Sequence, residues 1–543
     1  MNAWLHGSTA LSPLLLMASA LVPSHWANRH ARTMAVGSET LMWIAFAAAS
    51  LAAMVQALPG IPENGTAMTA TSAFAPVAYF DALTAVMLLL VSFIGTAVTR
   101  YARNYMDGDP EQGHFCKWLS VTIGAVLGVI VSGNLLWFTL AWMLTSLSLH
   151  RLLTFYADRP GALLAARKKF VISRLGDAAL IIAMVLIYRE FGTLEFAPIF
   201  AAAERLGSAS NAGAPALSAT GLTAIGALLI AAAALKSAQF PFHSWLPEIM
   251  ETPTPVSALM HAGIINAGGF LVVRMSPVIV LSPEVLSGLA VVGAATALYG
   301  SLVMVTQTSI KKALAFSTVA QMGFMMLQCG LGAFSAAILH IVAHSLYKAH
   351  AFLSTGSVVD LARASWVQVA PKNQTAGPLL AAFAGALALS LASAYGFGVS
   401  PASEPGVVAL GAVLTLAVTF LLWKSAGAHP GYGTVARATA VAACVCIGYF
   451  ALQTAFAHLL RSALPPLPPR ASDFDLTLTA AVTMLFVTML LVQSRLPGRI
   501  DNPLWQRLYV HFYNGLYIST IANRVIERIW PLPSASEPSS NWE

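Results

Sequence analysis

The residues of this chain best suited to chemistry are basic side chains embedded in apolar sequence. Lys236 follows an almost wholly apolar run, 220–235, and the segment after it is rich in proline. A cation at bilayer depth costs about 2.5–3.5 kcal/mol, so it is rarely present without a partner or a task. A broken helix is tolerated at that depth only where its freed carbonyls face protein or water. The combination predicts an ion pathway at a helix interrupted near 236–255.

A second set of titratable residues lies further along the chain. His340, His344 and Lys348 recur at every fourth position, which stacks them on one helix face about 6 Å apart. A single buried histidine is usually structural, but three such groups in register favour a proton or cation relay. His350 points to another face and is expected to be structural, and His261 has no partner in register.

Acidic residues in apolar surroundings are few. Arg174 and Asp177 are three residues apart and can pair on one helix face, either as an internal ion pair or as participants in transfer. Glu248 and Glu251 have the same spacing beside the predicted helix break. We expect these two glutamates to form the cytoplasmic opening of the pathway.

The composition excludes a water-soluble globular protein. Of 543 residues, 57% are hydrophobic and only 9% are charged, whereas soluble domains are about 25% charged. Apolar windows of about 17–25 residues recur, which predicts an all-α polytopic membrane protein of about 14–15 transmembrane helices. The first window lacks a basic leader and is predicted to be a span rather than a cleaved signal peptide. The windows are 11–22, 39–58, 80–98, 118–131, 135–153, 170–188, 221–242, 256–275, 285–306, 313–331, 333–358, 377–397, 406–422, 438–459 and 476–492.

Lysine and arginine are concentrated in alternate connections between these windows. The positive-inside rule then predicts a periplasmic N-terminus and a cytoplasmic C-terminus, in a bacterial inner membrane. The net charge of +7 is explained by these connections and indicates no nucleic-acid binding. The basic connections are those near 29–32, 100–117, 167–169, 311–312, 363–372 and 495–499.

Motifs for catalysis or for a cofactor are absent from the sequence. The four cysteines form no C-x-x-C pair, and there is no dinucleotide-binding loop, Walker loop or nucleophile elbow. We therefore expect no catalytic residue, cofactor or metal in this chain. Its chemistry is either ion movement or is carried out by another subunit.

Three motifs resemble the antiporter-like proton-translocating subunits shared by respiratory complex I, Mrp cation/proton antiporters and membrane-bound hydrogenases. They are 245–261, with 236–239 before it, 310–323, and the histidine–lysine series 340–348. The resemblance covers 80–360 and implies two inverted five-helix repeats, each with an interrupted helix. It implies N-terminal helices in 1–110, repeats in 111–280 and 281–430, C-terminal helices in 431–495 and a tail in 496–543. The pathway residues that it implies are Lys236, His261, Lys311, Lys312, His340, His344 and Lys348.

Within this superfamily, the segments 247–255, 261–270 and 345–357 are similar to DabB, the membrane subunit of bacterial DAB inorganic-carbon accumulation complexes. That resemblance implies a cytoplasmic DabA-like partner, which is related to β-carbonic anhydrases and carries zinc. Ion flow through this chain would then drive one-way hydration of CO2 to bicarbonate.

The sequence departs from the energy-converting branches at two places. Met143 stands where those subunits usually carry the glutamate that pairs with the lysine matched by Lys236. The helix expected to be interrupted in the second repeat, 379–397, contains no charged residue. We expect Asp177, Glu248 or Glu251 to replace the missing glutamate, and Lys236 to act as a terminal acceptor or gate.

The tail mixes basic and aromatic residues, a composition typical of a helix at the membrane surface or of a docking site for a partner. The residues predicted to dock a partner or the lipid surface are Arg499, Arg507, Tyr513, Arg524 and Arg528. Two other functions stay open for the chain as a whole. One is a proton-pumping subunit of a respiratory or hydrogenase complex, which quinone or iron–sulfur partners would reveal, and the other is an Mrp-type antiporter, which Na⁺ dependence would reveal.

Overall fold

The fold is known from a computed structural model and is almost wholly α-helical. Two short strands, β1 (Thr66–Ala67) and β2 (Tyr79–Phe80), pair antiparallel. The structure describes residues 11–56, 66–67, 78–156, 158–208, 219–355, 376–399, 405–426, 432–465, 473–495 and 502–531. Its helices are α1 (Leu11–Leu21), α2 (Ser24–Arg29), α3 (Ala31–Gln56), α4 (Ala82–Tyr105), α5 (Gln112–Val131), α6 (Leu135–Leu153), α7 (Pro160–Phe191), α8 (Phe196–Ser208), α9 (Ala219–Lys236), α10 (Thr254–Ala262), α11 (Ala267–Arg274), α12 (Ser276–Ile279), α13 (Pro283–Thr306), α14 (Ile310–Gly330), α15 (Phe334–Leu353), α16 (Ala376–Gly396), α17 (Pro405–Ala426), α18 (Tyr432–Leu459), α19 (Asp473–Arg495), α20 (Pro503–Tyr513) and α21 (Ile518–Ile529).

Many of these helices are long and apolar enough to cross a bilayer. The described ranges contain ten such spans, one of which combines α10 and α11, and three shorter apolar helices accompany them. Each apolar window predicted from the sequence overlaps a helix, although 221–242 extends past the end of α9 at Lys236. The prediction of an all-α, polytopic membrane protein is confirmed.

The bundle has a packed centre and an exposed periphery. The helices α4 and α5 and the span Thr254–Arg274 are largely buried, whereas most of α16 and α18 is exposed. Helices that are apolar all round suit both places, because lipid and protein interior are equally apolar surroundings. The titratable residues discussed below lie in the packed part.

The helices α13 and α14 form an especially close antiparallel pair. At Gly323 of α14, a Cβ atom would collide with the backbone of Ala297, and at Gly293 of α13 it would collide with the backbone of Leu327. Small residues let membrane helices approach until their backbones touch. This contact holds the second half of α14 against the middle of α13.

A buried ion pair closes one end of the bundle. The Asp81 carboxylate caps α4 by accepting from Thr84 N at 2.8 Å, and it accepts from Arg274 Nη1 at 2.6 Å and from Nη2 at 3.1 Å. Both side chains are only 2% exposed. Since Arg274 is the last residue of α11, the pair connects the starts of the N-terminal helices to the span that carries His261.

The predicted interruption near 236–255 is confirmed. The helix α9 ends at Lys236, turns and a 3₁₀ segment (Ile249–Glu251) follow, and α10 begins at Thr254. The span that follows is broken again, by the 3₁₀ turn Ile264–Asn266 between α10 and α11. By contrast, α16 is one continuous helix, so the interruption implied for 379–397 is not seen there. The boundaries of the two repeats stay a prediction.

One basic segment was misplaced by the sequence analysis. The run 167–169 was assigned to a connection, but α7 begins at Pro160 and contains it. Lys168 and Lys169 are 1% and 3% exposed. The sequence pattern is the same whether basic residues beside an apolar window precede the helix or belong to its buried face. The sequence alone therefore does not distinguish the two positions.

Candidate ion-pathway site

Lys236 lies deep in the bundle, where α9 ends. Its Nζ donates to Ser146 Oγ at 2.8 Å and to the Trp142 carbonyl at 3.3 Å, and it lies 4.4 Å from the centre of the Trp142 ring. The free carbonyls at a helix C-terminus and the face of an indole ring both favour a cation. The Lys236 ammonium therefore contacts a hydroxyl, a carbonyl and a ring of α6, and not a carboxylate at position 143 as the resemblance would imply.

Asp177 is the carboxylate associated with this site. Its Oδ2 lies 2.6 Å from Arg174 Nη2, which is the pairing predicted from the spacing. Asp177 attracts the charge of Lys236. Of the three replacement partners expected from the sequence, Asp177 is the one whose charge acts on Lys236.

The other two acidic candidates have different partners. Glu248 pairs with the buried Lys168. Glu251 accepts from Ala162 N at 3.1 Å, at the start of α7, while its carbonyl accepts from Arg159 at 2.7 Å. Both residues therefore join the interrupted segment to α7, at the end of the bundle where the basic connections lie.

Lys169 belongs to the Lys236 site, and the sequence analysis missed it. Its Nζ donates to the Ser146 carbonyl at 3.0 Å. Lys169 therefore donates to the carbonyl of Ser146, and Lys236 donates to the hydroxyl of the same residue. The charges of the two lysines repel each other. The signal was available in principle, because Lys169 is eight residues before Asp177 and therefore close to the same face of α7.

Lys236 also borders a small apolar cavity. Besides Lys236, only Trp142 and Thr145 among the lining residues have a side-chain hydrogen-bonding group. The Thr145 hydroxyl already donates to the Ala141 carbonyl at 2.9 Å. A water molecule usually needs two to four polar partners, so such a cavity favours exclusion of water from this side of the ammonium. The lining residues are Met87, Val91, Val126, Val129, Ile130, Trp142, Thr145, Lys236, Gly263, Ala267 and Phe270.

A second buried cluster surrounds His261. Its Nδ1 lies 3.0 Å from Thr318 Oγ1, and its ring stacks on Phe352 with centres 4.3 Å apart. Phe352 lies in α15, the helix that also carries His344. His261, which had no partner in sequence register, therefore meets the histidine–lysine series in space.

The series itself runs along α15 as predicted. The rings of His340 and His344 are 6.0 Å apart, and His340 Nδ1 lies 2.9 Å from Gln328 Oε1. Lys348 donates to the Leu314 carbonyl at 2.8 Å and also to Ser317 Oγ. The eight steps along the chain from His340 to Lys348 span about 12 Å along the helix axis.

Polar side chains connect the two clusters. Ser237, next to Lys236, donates to the Ile265 carbonyl at 2.6 Å. Asn266 then donates to Ser345 Oγ at 2.8 Å, and Ser345 follows His344 in α15. The broken span between α10 and α11 therefore supplies both the free carbonyl and the amide that connect the sites.

Two predicted pathway residues lie outside these clusters. Lys311 is half-buried and Lys312 is exposed, at the start of α14. His350 is exposed on another face of α15, which agrees with its separation from the relay. The structure therefore brings together Lys236 with Asp177, and His261 with His340, His344 and Lys348, but not Lys311 or Lys312.

The predicted docking residues lie on two tail helices. Arg507, Arg524 and Arg528 are exposed, and Tyr513 is 44% exposed. Arg499 lies outside the described residues. Within the part of the chain that the structure covers, no three histidine, cysteine or acidic side chains meet in a way that could hold a metal ion.

The geometry is that of a membrane protein with buried clusters of basic residues, and comparison with known proteins defines its class. Residues 132–396 match the family described as NADH:quinone oxidoreductase/Mrp antiporter transmembrane subunits, and residues 70–116 match the N-terminal family of complex I chain 5. The Mrp complex from Dietzia sp. DQ12-45-1b has a similar fold, with a TM-score of 0.58 at 22% identity over 98% of this chain and 60% of that one.

More specific relatives are inorganic-carbon transporter subunits. The chain is 40% identical to the probable inorganic carbon transporter subunit DabB2 of Halothiobacillus neapolitanus over 96% of this chain and 93% of that protein. It is 47% identical to the probable subunit DabB of Hydrogenovibrio crunogenus over about half of each, and 38% identical to NADH-quinone oxidoreductase subunit L of Mycobacterium tuberculosis over 51% and 43%. The chain belongs to the DabB family of antiporter-like membrane subunits, whose catalytic chemistry lies in other subunits.

Proposed function

We propose that this chain conducts protons inward across a bacterial inner membrane, with its N-terminus periplasmic and its C-terminus cytoplasmic. The ion flow drives one-way hydration of CO2 to bicarbonate by a DabA-like, zinc-containing partner on the cytoplasmic face. The names of the DabB relatives support the role in inorganic carbon transport. The zinc and the partner are proposed from the family resemblance.

One observation carries the proposal of ion conduction. Lys169 and Lys236 both donate to Ser146 in the bundle interior, and Arg174 brings a third basic group to the single carboxylate of Asp177. Repulsion among three basic groups around one carboxylate is relieved whenever a proton leaves the cluster. Such a cluster is poorly suited to a purely structural role and well suited to passing a proton on.

The two clusters suggest a route. The pair of Lys168 and Glu248 releases the proton at the cytoplasmic end, and the Lys236 cluster holds it at mid-depth. Ser237 and Asn266 lie between that cluster and Ser345, the residue after His344. His340 and Gln328 then lead toward the opposite end, which supplies the outer opening that an uncharged α16 lacks.

Energy from the ion gradient is sufficient for the proposed coupling. One charge that crosses 100 mV releases about 2.3 kcal/mol, and about 1.4 kcal/mol corresponds to a tenfold change in an equilibrium constant. A single proton therefore biases hydration by more than tenfold. The partner must still be prevented from catalysing the reverse reaction.

The test replaces Lys236 with alanine in the complete complex and measures gradient-driven accumulation of labelled inorganic carbon in cells. We expect accumulation to fall to the level of cells without the complex, and Lys169→Ala to fall with it. Lys424→Ala is the matched control, because Lys424 is an exposed lysine near the end of α17. Accumulation at the wild-type level in Lys236→Ala would refute the proposal.

Identification of the co-purified partner separates this function from its rivals. A zinc-containing subunit of the carbonic-anhydrase type supports the proposal. Quinone-binding or iron–sulfur subunits would instead assign the chain to a respiratory or hydrogenase complex. Dissipation of a pH gradient by added Na⁺ would assign it to cation/proton antiport.

A further inference from the structure

A buried hydrogen-bonded connection links the interrupted segment to the C-terminal tail. His243 Nε2 lies 3.0 Å from the Tyr299 hydroxyl, and that hydroxyl donates to the Gly515 carbonyl at 2.9 Å. His243 belongs to the interrupted segment, Tyr299 to α13, and Gly515 to the turn between α20 and α21. Three parts of the molecule that are distant in sequence therefore meet through two hydrogen bonds.

The direction of these bonds follows from the chemistry of the groups. A phenol has one proton to donate, and the Gly515 carbonyl can only accept it. The Tyr299 oxygen must then accept from His243, which places a proton on Nε2. The other nitrogen, Nδ1, is buried without a hydrogen-bond partner, and the ring feels the charge of Lys168, the partner of Glu248.

The tail turn is held in an uncommon conformation. Gly515, Leu516 and Tyr517 have φ angles of 56°, 50° and 62°. Two consecutive non-glycine residues in the left-handed region persist only where the surroundings hold them. Besides Tyr299, the end of α13 supplies such contacts, because Gln307 Nε2 donates to the Tyr513 carbonyl at 3.1 Å.

The far end of the tail is anchored beside the same interior groups. Arg167 Nη1 donates to the Trp530 carbonyl at 3.0 Å and to the Pro531 carbonyl at 2.9 Å, and its guanidinium lies 4.9 Å from the Trp530 ring. Arg167 precedes Lys168 in α7. The C-terminal end of α21 is therefore attached beside Lys168, and the turn before α21 is attached to Tyr299. Both Lys168 and Tyr299 contact the interrupted segment.

We propose that Tyr299 is the positioning residue that couples ion passage to the cytoplasmic partner. A change in the interrupted segment shifts His243, the shift passes through the Tyr299 hydroxyl to the Gly515 turn, and the tail changes its position against the partner. This inference rests on the proposed function and adds the mechanical connection between the ion pathway and the partner's reaction.

The test uses Tyr299→Phe in the complete complex, which removes one hydroxyl and keeps the ring. Proton flux and inorganic-carbon accumulation are both measured under the same imposed gradient. We expect proton flux to persist while accumulation falls to background. Tyr395→Phe is the matched control, because Tyr395 is 89% exposed at the end of α16, and it should leave both quantities unchanged.

Two outcomes would overturn the inference. If Tyr299→Phe leaves the ratio of accumulation to flux unchanged, the hydroxyl does not couple them. If flux and accumulation are lost together in an assembled complex, Tyr299 serves the ion path or the fold. Absence of gradient-driven accumulation in the wild-type complex would instead refute the proposed function, so the two failures are distinguishable.

A second pair of variants decides the matter if Tyr299→Phe does not assemble. In His243→Gln, the side-chain amide can still donate to Tyr299, so coupling should be retained, whereas His243→Leu should conduct protons without accumulating carbon. Equal behaviour of the two variants would overturn the inference. A fluorophore on Arg524→Cys provides a direct readout, because its signal should follow the gradient in the wild-type background and in His243→Gln but not in His243→Leu.

Discussion

Single residues in this chain bring together groups from different helices. Ser146 accepts from Lys236 through its hydroxyl and from Lys169 through its carbonyl. Trp142, one turn earlier, contacts Lys236 with its ring and its carbonyl. The groups that surround the Lys236 ammonium are thus distributed over α6 and α7.

A prediction at this scale compares two histidines of one helix. His344 is buried and its ring lies 6.0 Å from that of His340, whereas His350 is exposed. We expect His344→Gln to lower gradient-driven carbon accumulation by about a hundredfold, the lower end of what a positioned proton-transfer group contributes. His350→Gln should retain wild-type accumulation in the same assay, and equal effects of the two changes would contradict the relay.

At the scale of elements, broken helices provide the polar contacts of the site. The break after Lys236 leaves that ammonium at a helix end, and the break at Ile264–Asn266 frees a carbonyl and positions an amide between the two clusters. Unpaired backbone groups are costly at membrane depth, so they occur where side chains or water can satisfy them. The breaks are therefore where the polar groups of the proposed pathway lie.

A prediction at the scale of elements concerns the close contact of α13 and α14. In Gly323→Leu, the new side chain would collide with the α13 backbone, so we expect a destabilisation of about 1–3 kcal/mol. Gly288→Leu is the matched control, because a Cβ atom there meets no other atom within 4 Å. Thermal unfolding of the purified protein in detergent measures both, and an unchanged midpoint for Gly323→Leu would contradict the packing described.

At the scale of the whole molecule, two long-range connections define the arrangement. The pair of Asp81 and Arg274 joins residues 193 positions apart at one end, and the tail contacts α7 and α13 at the other. The interrupted segment and the two buried clusters lie between these connections.

The ion pair yields a prediction about overall stability. Asp81→Asn leaves a buried arginine without its charged partner, which we expect to cost about 3–5 kcal/mol of stability. Arg103→Gln breaks the pair with Glu39, in which the arginine side chain is 40% exposed and the glutamate side chain 12% exposed, so we expect a smaller loss than for the fully buried pair. Chemical unfolding of both variants provides the comparison, and similar losses in the two would show that burial of the first pair matters little.

The sequence by itself determined the class of protein and its helical elements. Apolar length decides whether a helix crosses a membrane, proline decides where one breaks, and spacing of three or four decides which residues share a face, as for Arg174 with Asp177 and for His340 with His344. These properties depend only on residues close together in the chain, so they can be predicted from the sequence.

Only the tertiary structure decided which groups meet across helices. Lys169 donates to Ser146, the residue that Lys236 also contacts, and His261 lies close enough to His344 for their charges to interact. Glu248 forms its ion pair with Lys168 and not with Lys236. The tail turn is hydrogen-bonded to Tyr299. Each of these contacts depends on how separate helices pack and rotate against one another. That arrangement is set by the fit of many distant side chains together, and the local spacing of residues along the chain does not contain it.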